Sequence, residues 1–223
     1  MSLQDSLTIK CPGCHSQQTV TVWKSINTAA DPAMKEAVRN KKAFLFCCPD
    51  CGHETVLDYG FLYHQPEDKL LIQYADDDES AVSFLSGLQE QGNPLNDFAN
   101  AHYIIRLVCS QNQLIEKLLI FDEGLDDRLI EIYKVLVLLR YQKENPDVEE
   151  PVLYFYRTDK GEQMIQILAN DVYICSTAFN PALYEELKGN FGAALNDITE
   201  EEPIIDEQWA FSLMLGEQEN PEG

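Results

Sequence analysis

Cys11-Pro12-Gly13-Cys14 and Cys48-Pro49-Asp50-Cys51 are two copies of one pattern, Cys-Pro-x-Cys, and their reading decides how the N-terminal part of the chain folds. Two cysteines with two residues between them form a tight knuckle that aims both sulfurs at one point. Two knuckles supply the four-thiolate tetrahedral shell that closed structural zinc sites use. The predicted ligands are Cys11, Cys14, Cys48 and Cys51, holding one structural zinc ion per chain. Ligation of this kind contributes about 10 kcal/mol or more of apparent folding free energy in small modules, which suits a β unit with a modest core.

Outward from the first knuckle, Leu7 and Ile9, then Val20 and Val22 against Thr19 and Thr21, alternate in strand fashion. They predict strands over residues 6–10 and 18–23 with the knuckle on their hairpin. Asp31-Pro32 reads as an N-cap followed by proline at the first position of a short helix carrying Ala33, Met34, Ala37 and Val38. That helix accounts for the 33 residues between the knuckles, a longer interval than compact zinc ribbons use. Residues 43–46 and 54–57 read as strands entering and leaving the second knuckle. Residues 61–63 and 70–74 read as two more, separated by the turn-forming Gln65-Pro66-Glu67-Asp68.

Asp76-Asp77-Asp78-Glu79 marks a shift in composition. The expected organisation is α+β: a zinc-ribbon-like four-cysteine β unit with an inserted helix over residues 4–75, then an acidic region of mixed helices and antiparallel strands over 76–221. Met1-Ser2-Leu3 and Glu222-Gly223 are set aside as vector-like ends. In the second part, Ala81, Phe84, Leu85 and Leu88 follow helical spacing, residues 103–109 read as a buried strand, and Ser110 caps a helix carrying Leu114, Ile115, Leu118 and Leu119. Gly124 interrupts that pattern. A more apolar, central helix follows over 125–143, with Leu129, Ile132, Tyr133, Leu136 and Leu139 on its core side. Residues 152–156, 163–168 and 172–176 predict a three-stranded meander. A short helix over 181–188 closes at Gly189, and 204–215 forms a last helix or strand.

At 45% hydrophobic and 24% charged residues, the 223-residue chain has a globular composition. Its start lacks an apolar export segment, and the longest apolar run falls far short of the roughly 20 residues that span a bilayer. Seven cysteines, an odd number, then favour metal ligands and free thiols over a disulfide framework, as expected in a reducing cytoplasm. The net charge is −22, and it is uneven. Residues 1–70 carry 7 basic and 8 acidic groups, whereas 71–223 carry 9 basic and 30 acidic. Such a surface repels phosphate backbones and attracts basic partners, so the expected partner is a protein of basic character, with neither nucleic acid nor membrane.

Other readings of the same residues weigh less. Cys11 to His15 also matches the haem-attachment pattern Cys-x-x-Cys-His, which needs export. A dithiol redox enzyme places its Cys-x-x-Cys at a helix N-terminus, but strand-like residues follow both pairs here. A catalytic zinc would replace one thiolate by His15 or His53 and leave an open position, which four matched cysteines do not require. Cys47, Cys109 and Cys175 read as core thiols, and His64 and His102 lack a nucleophile or acid partner in the local sequence. Asp122, Glu123, Asp126 and Asp127 sit where a helix begins, where carboxylates cap exposed amides and complement the helix dipole. A thiol redox or metal-dependent enzyme is therefore the alternative to a non-enzymatic interaction or regulatory module.

The paired motifs resemble those that give the prokaryotic CpXC domain family its name. The resemblance covers roughly the N-terminal half, and the apolar helix after Phe121-Asp122-Glu123-Gly124-Leu125 is similar to the family as well. It implies a bacterial or archaeal protein whose four cysteines bind metal, and it supplies no catalytic residue.

Overall fold

In the computed structural model, which describes residues 2–196 and 202–216, the first knuckle joins β1 (Leu3–Lys10) to β2 (Gln17–Asn27). The two strands pair antiparallel from Lys10 opposite Gln17 to Leu3 opposite Ser25. Val20 and Val22 turn inward while Thr19 and Thr21 stay exposed, the alternation that the pleat imposes. The inserted helix is α1 (Ala33–Arg39). Asp31 does not cap it: Pro32 occupies the N-cap position and no side chain bonds the first turn. The preceding turn is instead organised by Asn27, whose Oδ1 accepts the amides of Ala29 and Ala30. The second knuckle lies between the short antiparallel strands β3 (Leu45–Cys47) and β4 (Glu54–Val56), and β3 is entered through a 3-10 turn at Lys42–Phe44.

A five-stranded mixed sheet organises this part. β5 (Phe61–Gln65) and β6 (Leu70–Tyr74) pair antiparallel, the end of β2 runs parallel to β5, and β7 (Ile104–Val108) runs parallel to β6, giving the order β1-β2-β5-β6-β7. Between β6 and β7 the chain crosses over through α2 (Asp78–Gln89) and α3 (Pro94–Asn100). Leu70, Leu71 and Ile72 are all buried, as expected of a strand covered on both faces. One covering layer is Phe84 packed with Leu71 and Ile105. An aromatic group is formed by Phe44, Tyr59, Phe61 and Tyr74, whose rings meet at 5.2–6.2 Å, distances at which edge-on contacts add to burial.

The chain divides into two compact units after Ile115, inside α4 (Gln111–Asp122). The expected boundary at 75/76 falls between β6 and α2, within the first unit. Ser110 caps α4 by accepting the Gln113 amide at 3.2 Å. Gly124 ends the helix in the left-handed region (φ +69°), with its amide bonded to Phe121 O and that of Leu125 to Ile120 O. This paired closure needs a residue without Cβ strain.

In the second unit, α5 (Asp127–Glu144) is buried on every side from Leu129 to Val135. Leu138 takes the next core position and Leu139 faces out, because the packed face turns past the expected one. The meander is β8 (Val152–Arg157), β9 (Gln163–Ala169) and β10 (Val172–Ala178), in the order β10-β9-β8. α6 (Pro181–Asn196) does not stop at Gly189. Tyr184, Leu187, Phe191 and Leu195 continue one apolar stripe, and burying its last two residues outweighs the roughly 1 kcal/mol that a helical glycine costs. α7 (Glu207–Leu215), capped by Asp206, completes the unit as a helix rather than a strand. Glu222-Gly223 lie outside the described residues.

Charged side chains run through this core in a continuous chain. Lys117 Nζ lies 2.9 Å from Asp127 Oδ2 and 3.0 Å from Glu131 Oε1, and donates to the carbonyl of Ile205 at 2.8 Å. Lys134 Nζ lies 3.0 Å from Glu131 Oε2 and 3.0 Å from Glu116 Oε1, and the latter oxygen also accepts the Phe155 amide at 2.6 Å. All five side chains are buried. Such charges are tolerated only when paired and hydrogen-bonded, as these are.

Candidate metal centre

Each knuckle repeats one backbone pattern. In the first, Cys11 N donates to Ser16 O and His15 N to Cys11 O. In the second, Cys48 N donates to His53 O and Gly52 N to Cys48 O. The residue after the second cysteine is left-handed in both, His15 at φ +62° and Gly52 at φ +72°. The fit between the knuckles is close. A Cβ on Gly13 would sit 2.9 Å from His53 Cβ, so only glycine lets the second loop lie over the first.

These loops bring Cys11, Cys14, Cys48 and Cys51 together, with all four sulfurs within 4.8 Å of one another. Cys11 Sγ and Cys51 Sγ are 3.7 Å apart, as are Cys14 Sγ and Cys48 Sγ. A disulfide would need about 2.05 Å. A tetrahedron with metal–sulfur bonds of about 2.3 Å has edges of about 3.8 Å, so the spacing fits a four-thiolate ion such as zinc. The first cysteine of each knuckle is buried and the second is exposed. Among the described residues no other group of three or more His, Cys, Asp or Glu side chains is placed to hold a metal.

Polar neighbours tie the loops together. The Ser16 hydroxyl lies 3.0 Å from Cys14 Sγ and 3.9 Å from Cys48 Sγ, and Gln18 Nε2 donates to Ser16 Oγ at 3.0 Å and to Asp50 Oδ2 at 2.7 Å. The Ser16 hydroxyl and amide hold the Cys14 thiol down to about 6. Burial pushes Cys48 up, but the Cys51 and Asp50 amides outweigh it and its net shift is downward. Cys51 receives a lowering hydrogen bond from the His53 amide, yet burial and the three neighbouring thiols drive it up to about 12. Four thiols crowded at one point resist ionising together without a cation among them, and a divalent metal held there would supply that charge.

The remaining candidates scatter. Both knuckles lead into strands, β2 and β4, so neither thiol pair has the helix N-terminus of a dithiol enzyme. Cys47 is exposed instead of buried, because the β3 alternation that turns Phe46 inward turns its neighbour out. Cys109 is exposed at the end of β7, and Cys175 is half-buried. His64 lies 3.2 Å from Asn27 Nδ2 and 3.3 Å from the Tyr103 hydroxyl and meets Phe98 edge-on. The acidic cluster separates: Asp126 caps α5 and pairs with Arg128, Glu123 pairs with Arg157, and Asp127 enters the buried charge chain. Local spacing gave no signal for Ser16, Gln18 or that charge chain, since the contacts of Ser16 with Cys48, of Gln18 with Asp50, and of Lys117 and Lys134 with carboxylates on the other helix join residues distant in sequence.

A family model described as CpXC protein matches residues 9–134, more than half of the chain. No curated protein and no solved structure matches. The matched span contains both knuckles and ends at Lys134, so it also includes every member of the buried charge chain.

Proposed function

The chain belongs to the CpXC family, and from that premise we propose that its four cysteines hold one structural zinc ion and that the first unit is a protein-interaction module working in the cytoplasm. One observation carries this reading: four sulfurs from two matched loops lie within 4.8 Å of one another, and two of the six separations are 3.7 Å, close to a tetrahedral edge. Four protein ligands fill a zinc shell and leave no position for water or substrate, which favours a structural ion over a catalytic one. The net charge of −22 favours a basic partner protein over nucleic acid.

The test is metal analysis of protein purified under reducing conditions without chelator. The expected result is one zinc per chain, lost in Cys11→Ser and Cys48→Ser together with protease resistance of the first unit. Far less than one zinc per chain, or variants as resistant as the parent, would overturn the reading.

A further inference from the structure

The β1–β2 and β3–β4 hairpins are held at their tips and separate along their shafts. At the tips the cysteine sulfurs meet and Gln18 bonds Asp50 at 2.7 Å. Further down, Trp23 N donates to the Tyr59 hydroxyl at 3.3 Å, and beyond it β2 joins β5 at Ser25. Between these closures lies a cavity of about 270 Å³ with Thr19–Thr21 of β2 on one side and residues 43–47 on the other, above Leu57 and Tyr59.

Hydrogen-bond phase identifies which backbone groups line it. Cys11 N donates to Ser16 O, so in that ladder Gln18, Val20 and Val22 face β1 while Thr19 and Thr21 point away. The outward amide of Trp23 has the same phase. In the other hairpin, Cys48 N to His53 O and Leu57 N to Phe44 O set Phe46 toward β4 and leave Leu45 and Cys47 pointing away. The Leu45 amide closes the 3-10 turn on Lys42 O. Among the described residues no backbone hydrogen bond uses the N–H groups of Thr19, Thr21 and Cys47 or the carbonyls of Thr19, Thr21, Leu45 and Cys47.

We propose that this slot takes a short extended segment of another protein, which inserts between β2 and β3 and completes one sheet across both hairpins. Two facing strand edges present alternating donors and acceptors that only an extended backbone matches on both sides. About 10 Å of open edge corresponds to about three residues at roughly 3.3 Å each. The lining side chains are uncharged. Val20, Phe44 and Phe46 form a buried apolar floor while Thr19, Thr21, Leu45 and Cys47 face solvent, so the segment alternates apolar with polar residues and carries no charge along the inserted stretch. The inference rests on the interaction-module reading, because the metal would clamp the tips that hold the edges apart.

The test pans a phage-displayed library of random nonapeptides against the full, zinc-loaded chain and measures binding of the enriched peptides. The slot predicts uncharged alternating peptides that slow amide exchange at Thr19, Thr21 and Cys47. Thr21→Pro removes an outward amide that the fold does not use and should weaken binding at least about tenfold, whereas Thr21→Val keeps the amide and the affinity. Thr19→Pro provides the same comparison should Thr21→Pro fail to hold zinc. No enrichment, binding indifferent to both prolines, or protection of these amides by rising protein concentration alone, the mark of a second copy in the slot, would overturn the proposal. Zinc content is measured in every sample: chelated protein that still binds peptide through the Thr21 amide supports the slot and removes the metal's role, and zinc-replete protein without peptide binding does the reverse.

Discussion

Lys134 Nζ lies 3.0 Å from both carboxylate oxygens of Glu116, a bond between α5 and α4 in which both side chains are buried. The pair is one end of a chain with three carboxylates, Glu116, Glu131 and Asp127, and two ammonium groups, Lys117 and Lys134. Full ionisation would leave one buried negative charge in excess. Burial, opposed by Lys134, raises Glu116, whereas the two ammonium groups hold Glu131 below its ordinary value.

Removing Lys134 leaves Glu116 without its ammonium and Glu131 with one fewer. Lys134→Met should therefore destabilise the second unit by about 3–5 kcal/mol, the cost of breaking one side of a buried pair. Adding Glu116→Gln should recover a large part of that loss, because the orphaned charge disappears. Urea unfolding in a Trp23→Phe background, in which Trp209 is the remaining tryptophan, reads this unit alone. Equal stability of the single and double variants would rule out a coupled network.

The same groups set opposite pH dependences. Burial raises Glu131, but Lys117 and Lys134 outweigh it and hold the residue below its ordinary 4.5, so its contribution is present above that value and is lost as pH falls through its native titration. Glu116 is displaced the other way. Its contribution is complete below 4.5 and fades as pH rises through its raised titration. Glu116→Gln keeps the uncharged form at every pH, so the stability of the variant relative to the parent should climb from pH 4.5 upward. A difference that is flat in pH, or falls, contradicts the upward displacement of Glu116.

The α6 helix offers a simpler gain. A Cβ on Gly189 or Gly192 would meet nothing within 4 Å, and neither residue has the positive φ that requires glycine. Each Gly→Ala change should stabilise the second unit by about 0.5–1 kcal/mol through lost freedom in the unfolded chain. Urea midpoints that stay put or fall would show that these glycines serve something other than the helix.

Legibility in the sequence followed the range of the interaction. Strands around Cys11 and Cys14, the capped start of α4 at Ser110 and the meander are local patterns, and the structure has them. The four-cysteine cluster is nonlocal, but its repeated motif marks both halves. Gly189 misled because a local stop signal lost to Phe191 and Leu195, whose burial depends on α6 packing in the core. Glu116, Lys117, Glu131 and Lys134 gave no sign of burial in the sequence, since nothing in their spacing says that the surrounding surface is covered. Cys47 followed the strand rule and was exposed by it, because one-sided burial of Phe46 leaves its neighbours outside.

The two knuckles make one conformational demand and meet it with different residues. His15 and Gly52 occupy the same position after the second cysteine, both left-handed, yet only Gly52 is free of the Cβ clash that costs roughly 1–2 kcal/mol there. His15→Gly should therefore raise the stability of the zinc-loaded first unit by up to about 1 kcal/mol, part of the relief being offset by the greater freedom of glycine in the unfolded chain. Gly52→Ala should cost a similar amount although nothing lies within 4 Å of the added methyl, since the penalty arises within the residue's own backbone. Thermal melting at fixed zinc excess, followed through Trp23 in a Trp209→Phe background, compares the two directly. If both changes moved the midpoint in the same direction, backbone strain would not be what distinguishes the knuckles, and a side-chain role of His15 at the metal centre would have to take its place.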